Sequence, residues 1–252
     1  QSLAALRDAI PVVLRFVDEP RADACVPALH VLTRAAPDVT GRPGPRKPIV
    51  RDIFDVLAAE AERRGCRRIA FVNGDIVVRP AASEAILGAA EPFVAISRQD
   101  VGGDPPQAPA MLLRGVDLVA VDVAFWRRER RRFRAYVAGE PLWDNVYAAI
   151  GLTHGPGVLF NRTPLIEHER HVPARGEAFA DYLHLLATWD SYYFSRWCTY
   201  VDAAEALRAR GGTPDEERAL QRGIFVPPAA PALLHQWARG AWWTVRTGLY
   251  RR

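Results

Sequence analysis

Apolar residues along this chain fall into short strand-like runs separated by stretches of helical spacing. Ile10 to Val17 is one such run and reads as a buried strand. Residues 37–48 carry Pro37, Gly41, Pro43, Gly44, Pro45 and Pro48, the composition of a loop. Ile49 to Arg64 then places Ile53, Phe54, Val56, Leu57 and Ala61 at helical spacing, with Gly65 where a C-cap belongs. From Arg68 to Val78 an apolar run enters a polar knot, Asn73-Gly74-Asp75, and leaves as a second apolar run. A helix over Ser83 to Ala90 and a strand over Pro92 to Ser97 follow, then a Gly- and Pro-rich loop from Asp100 to Pro109. Val116 to Phe125 is again strand-like, Arg127 to Tyr136 is a basic helix or loop, Trp143 to Ile150 a short helix, and Gly157 to Phe160 a short strand. Strands alternating with helices predict an α/β fold, a mainly parallel sheet flanked by helices.

Past His171 the pattern changes. Phe179 to Leu207 is rich in aromatics at helical spacing, and the Pro-rich segment from Val226 to Pro231 reads as a hinge. A terminal helix then carries Leu234, Trp237, Ala238, Ala241, Trp242, Val245 and Leu249 on one stripe, and Arg239, Trp243, Arg246 and Tyr250 on a second. We therefore expect an α/β core over residues 1–175 and a helical C-terminal extension over 176–252. The apolar stripe has two readings, core packing through Leu234, Trp237 and Trp242, or a helix lying on a membrane surface.

Composition narrows the class. The 252 residues are 49% hydrophobic and 25% charged, which excludes a disordered or collagenous chain. Lysine and arginine number 33 against 29 acids, a net charge of +4, and Lys47 is the single lysine. So small a surplus does not establish nucleic-acid binding. Arginine does, however, grip phosphates in bidentate fashion, and six arginines crowd residues 127–134. That run is either a solvated helix face or a docking site for an anionic acceptor or phospholipid headgroups. Cys25, Cys66 and Cys198 are far apart and odd in number, so they read as thiols of a reducing cytosol. No apolar run is long enough to span a bilayer. The expected location is cytoplasmic, with peripheral contact at the inner face of the membrane.

Four segments carry the candidate chemistry. In Phe71-Val72-Asn73-Gly74-Asp75-Ile76 a strand ends in short polar residues, which puts them at the carboxyl edge of a sheet, where α/β folds bind ligands. Asp75 offers a hard oxygen to Mg²⁺ or Mn²⁺ and Asn73 stands beside it, although the same residues also make an ordinary turn. The others are Gly115 to Asp122, Gly139 to Asn145, and Ile166 to His171, whose His168 and His171 have the spacing of a metal pair or of two hydrogen-bonded surface histidines. The P-loop and GxSxG signatures are absent.

In this order the four segments resemble the GT-A superfamily of nucleotide-sugar-dependent glycosyltransferases, over roughly Ile10 to His171. The resemblance implies a metal-dependent enzyme that moves a sugar from a nucleotide-sugar donor to a glycan or lipid-linked acceptor, as in bacterial polysaccharide biosynthesis. It implies that Asp75 binds Mn²⁺ or Mg²⁺, with His168 or His171 completing the site and Asn73 at the usual first acidic position. Gly115 and Asp117 would lie beside the donor sugar, Asp144 would serve as general base, and Trp143 and Asn145 would contact donor or acceptor. Gln1 to Asp8, with Leu3 and Leu6, reads as the end of the helix that follows the first strand of that fold, so that strand is expected either to have been lost with a missing start or to be replaced here. Two alternatives stand beside this reading: a noncatalytic GT-A-like binding or scaffold module, and a zinc hydrolase built on His168 and His171.

Overall fold

The computed structural model of this chain describes residues 9–20, 27–40, 44–103, 107–140, 142–170 and 188–247. Two short parallel strands, β1 (Val13–Phe16) and β2 (Ala28–Leu32), pair only with each other among the described strands. After a one-turn helix α1 (Ala36–Thr40), the long helix α2 (Val50–Arg64) ends at Gly65, as the sequence predicts. Then come β3 (Arg68–Val72), β4 (Ile76–Val78), α3 (Pro80–Gly88), β5 (Phe93–Val101) and β6 (Ala110–Asp122). Helix α4 (Val123–Glu129) and a 3-10 turn (Arg130–Arg132) lead towards α5 (Trp143–His154), β7 (Gly157–Phe160) and β8 (Ile166–Glu169). The chain closes with α6 (Ser191–Ala209), α7 (Pro214–Ile224) and α8 (Ala230–Thr247).

The fold is mixed α/β, but its main sheet is not the mainly parallel one that alternation predicted. Its order is β3-β6-β5-β8-β4, with β7 also on β5. The β3/β6, β5/β6 and β4/β8 pairs are antiparallel, and β5/β7 and β5/β8 are parallel. For β5 and β6 the reason is connection length: eight residues, 102–109, join them, and strands linked so closely pair antiparallel. Sequence alternation identified strands without distinguishing a crossover from a return.

Both faces of this sheet are buried, so its central strands read as continuous apolar runs. Phe93 and Ala95 of β5 join Val119 and Val121 of β6 on the face covered by α2, α4, α5 and α6. Val94 and Ile96, with Leu118 and Ala120, turn to the other face, against Ala82 and Ile86 of α3. Trp197, Tyr200, Val201 and Ala204 of α6 belong to the first cluster, so this helix shares the core of the sheet.

Helix α7 escaped the sequence reading, although its start was legible. Thr213 and Glu216 form a capping box, each side chain bonding the other's backbone N–H, with Pro214 in the first turn. Helix α8 forms where predicted, but Leu234, Trp237 and Trp242 do not pack into the core. They are 71%, 51% and 61% exposed. Gln236 is the residue of this helix that turns inwards, accepting from the Tyr192 amide at 3.0 Å.

A buried carboxylate ties the C-terminal helices to the sheet. Glu217 of α7 is 4% exposed and accepts from Arg162 at 2.7 Å, Arg208 at 2.7 Å, Asn161 at 2.7 Å and Tyr200 at 3.0 Å. Burial works against the charged Glu217, but the hydrogen bonds from Arg208 and Arg162 hold its carboxyl below the usual range. We expect Glu217→Ala to cost about 3 kcal/mol in urea unfolding, at the low end for a broken buried pair because both guanidiniums keep partial access to water. The folded pKa is depressed, so this contribution is present above the unfolded carboxylate range and fades as pH falls through the folded value. An alanine variant as stable as the parent at pH 7 would contradict this.

Candidate active site

Strand registers assemble the candidate site at one edge of the main sheet. The β3/β6 register sets Val72 opposite Leu118, so that Asn73, just past β3, lies beside Asp117. The β5/β8 register sets Asp100 level with His168, and β4/β8 sets His168 level with Ile76, next to Asp75. Four segments of the sequence, at Asn73 to Asp75, Asp100, Asp117 and His168, thus deliver polar side chains to one place. The side-chain Nδ2 of Asn73 donates to Asp117 Oδ1 at 2.6 Å, and its backbone N–H to the Asp117 carbonyl at 3.3 Å.

Arg98 joins the two halves of this cluster. Its Nη1 donates to Asp117 Oδ2 at 3.0 Å and its Nε to Asp100 Oδ1 at 2.8 Å. Beyond Asp100, His168 Nδ1 lies 3.4 Å from Asp100 Oδ1 and its Nε2 3.3 Å from Asp75 Oδ2. The row Asn73, Asp117, Arg98, Asp100, His168, Asp75 is therefore continuous, and it runs from a buried end to a half-exposed one. Asp117 is 7% exposed, while the Asp75 side chain is 53% exposed. Burial opposes the charge on Arg98, yet the adjacent Asp117 and Asp100 carboxylates raise its pKa above the ordinary guanidinium value.

Asp144 approaches the same cluster from the first turn of α5. Loss of water around its carboxyl, then the nearby Asp117 charge, pushes its pKa up to about 8, against the opposing pull of backbone N–H groups and Arg98. The residue remains half-buried rather than sealed. The turn before it is strained, because Leu142 adopts φ 65°, a left-handed conformation that a bulky side chain rarely takes. Such strain persists only where surrounding contacts impose it, and it concentrates at functional sites.

The other expected site residues have different surroundings. Trp143 is 4% exposed and meets Phe71 and Tyr147 edge-on, so it packs in the core instead of offering a face to a sugar. Asn145 is 1% exposed and donates to the Arg114 carbonyl at 2.6 Å, tying α5 to β6. Gly115 makes room for Arg98, since a Cβ there would come within 3.0 Å of Arg98 Nε. His171 lies outside the described residues. Arg98 and Asp100 were missed by the sequence reading, which ended the strand at Ser97 and assigned Asp100 to a loop. The signal was the one used for Asn73 and Asp75, a strand ending in polar residues at a sheet edge.

Among the described residues no group of three or more His, Cys, Asp or Glu side chains is arranged to hold a metal ion, and no helix is long and apolar enough to cross a membrane. No protein-family model matches the chain, and no curated protein matches it.

The raised pKa of Asp144 has a consequence for stability. With its folded pKa raised, the folded state binds more protons than the unfolded state between pH 3.8 and about 8. Stability therefore falls as pH rises through that window. Asp144→Asn removes the penalty, so it should melt at a higher temperature than the parent at pH 8 and show a flatter dependence of Tm on pH. Parallel Tm–pH curves for the two proteins would rule out the raised pKa.

Proposed function

We propose that this chain is a GT-A-like glycosyltransferase that moves a sugar from a nucleotide-sugar donor to a glycan or lipid-linked acceptor. What supports this reading is the convergence of Asp75, Asp117, Asp144 and His168, from four separate sequence segments, on one sheet edge through Arg98. Transfer requires a base for the acceptor hydroxyl and positive charge for the departing diphosphate. Asp144 is the base: its carboxylate takes the hydroxyl proton, the freed oxygen attacks the anomeric carbon, and the bond from that carbon to the diphosphate breaks. The electron pair leaves with the nucleoside diphosphate. A raised pKa suits a group that must accept a proton near neutral pH.

Mg²⁺ or Mn²⁺ commonly takes one or two protein ligands and completes its shell with phosphate oxygens and water. The half-exposed Asp75 carboxylate and the His168 imidazole 3.3 Å from it fit that pattern rather than an all-protein cage. Asp75 and His168 would hold the cation, and when bound it would neutralise the leaving diphosphate. Asn73, whose amide is spent on Asp117, holds Asp117 in place. The identity of this residue favours the second reading, a noncatalytic GT-A-like module, because an asparagine at the usual first acidic position leaves one carboxylate fewer for a cation.

A thermal-shift panel of nucleotide sugars with Mg²⁺ or Mn²⁺ separates the two, since a true donor stabilises the folded state by mass action. With the donor identified, Asp144→Asn should lower transfer by about a hundredfold or more while donor-induced stabilisation persists. Asp75→Ala should abolish the Mn²⁺ dependence of donor binding. Wild-type turnover by Asp144→Asn would remove the assignment of the base, and silence across the whole panel would favour the noncatalytic module.

A further inference from the structure

A cavity of about 700 Å³ lies apart from the acidic cluster and shares no described lining residue with it. Its size is that of a small-molecule or headgroup site. Arg34, Arg51, Arg128, Arg131, Arg132 and Arg134 line it, against three carboxylates, Asp38, Glu129 and Asp190. Most of these charges are balanced. Glu129 is shared by Arg128 and Arg132, both at 2.7 Å, Asp190 takes Arg134 at 3.3 Å, and Arg34 reaches outside the cavity to Asp52. Arg51 and Arg131 form no ion pair among the described residues, although the Asp52 carboxylate favours the charge on Arg51. The Arg51 Nε is buried with no hydrogen-bond partner, so Arg51 would meet an anion in the cavity it lines through its Nη groups.

One wall of the same cavity is α8, through Leu233, Gln236 and Trp237. This helix is mounted inside out. Its inward contact is polar, with Gln236 donating to Asp190 at 3.4 Å and accepting from the Tyr192 amide at 3.0 Å. On the opposite side Leu234, Trp242 and Val245 stand 71%, 61% and 78% exposed. At 100° per residue these three lie within one quadrant of the helix, with Arg239 and Arg246 along its flank. Arg246 also stacks on Trp242, 5.0 Å from the ring centroid. An apolar stripe with Trp, bordered by arginine and too short in apolar length to cross a bilayer, is the make-up of a helix that lies in the interface plane.

We propose that this cavity and the outer face of α8 form one membrane-surface site, in which the cavity arginines take the phosphate headgroup of an anionic lipid while Leu234, Trp242 and Val245 enter the interface. Charge selects this occupant over a second copy of the chain: a copy would bring an equally arginine-rich surface to the same place, whereas an anionic leaflet supplies the missing negative charge. The site stands independently of the transferase reading, since none of its residues belongs to the acidic cluster.

Co-sedimentation of the full chain with vesicles of phosphatidylcholine alone and of phosphatidylcholine with 30 mol% phosphatidylglycerol (about the anionic content of a charged leaflet) tests this directly. The expected result is binding to the anionic vesicles only, weakened by raising the salt concentration. Arg51→Gln and Arg131→Gln should each weaken it about fivefold, the change expected per arginine near an anionic surface. Leu234→Glu with Trp242→Glu should abolish it with Tm unchanged, because both side chains are already in water. Equal binding to the two vesicle types, or none to either, would overturn the proposal. So would phosphate-induced stabilisation without vesicle binding, which would mark a soluble phosphate ligand. Dimerisation lost in the glutamate variants would overturn it too, by assigning the stripe to a second copy.

Discussion

A single guanidinium holds the candidate site together. Arg98 sits between Asp117 and Asp100, and without it the sheet edge would gather Asp75, Asp100, Asp117 and Asp144 with only His168 to offset them. Like charges this close, partly screened from water, raise one another's pKa until some are protonated. Arg98 lets Asp117 and Asp100 share a positive partner. It also pulls on Asp144, whose pKa is raised first by loss of water around its carboxyl and then by the Asp117 charge. Gly115 is part of this arrangement, because a side chain there would crowd Arg98.

Arginine plays the same part elsewhere in the molecule. Arg68 binds Asp122 at 2.7 Å and three backbone carbonyls at the end of α3 and before β5, Arg130 binds Asp55, and Arg162 and Arg208 converge on Glu217. These pairs cross between elements, and the bidentate fork adds geometric definition that a lysine would not supply. The richness in arginine is therefore largely architectural. Against that background the two cavity arginines that form no ion pair among the described residues stand out, as does α8, which meets the protein through Gln236 and turns its apolar stripe away. A helix ordinarily buries the opposite face.

Much of the fold was legible because its elements follow strong local rules. The helical spacing from Ile53 to Ala61 with Gly65 after it, and the two apolar runs flanking Asn73-Gly74-Asp75, emerge as α2, β3 and β4. Five of the expected site residues, Asn73, Asp75, Asp117, Asp144 and His168, meet at one edge. Trp143 and Asn145 illustrate the limit. Both are polar or amphipathic residues beside Asp144, yet one helical turn directs them to the core and to the Arg114 carbonyl. Arg98 and Asp100 were hidden because β5 continues past its apolar run through polar residues to Val101, so the strand's polar end lies beyond the point where the apolar pattern stops.

The sequence by itself determined where α2, β3 and β4 lie and that Asn73 and Asp75 stand at a strand end, because periodicity, caps and turn residues act over a few positions. It did not mark β2, α1, α7 or the end of β5. The direction of strand pairing was decided only in three dimensions. It depends on whether a connection crosses over or turns back, and that decision brought Asp100 level with His168 and Asn73 beside Asp117. The exposure of the α8 stripe was decided there as well. Its amphipathic pattern is the same whether the apolar face meets a core or a membrane, and the contacts of Gln236, with Leu233 and Trp237 against the cavity, show which side the protein occupies.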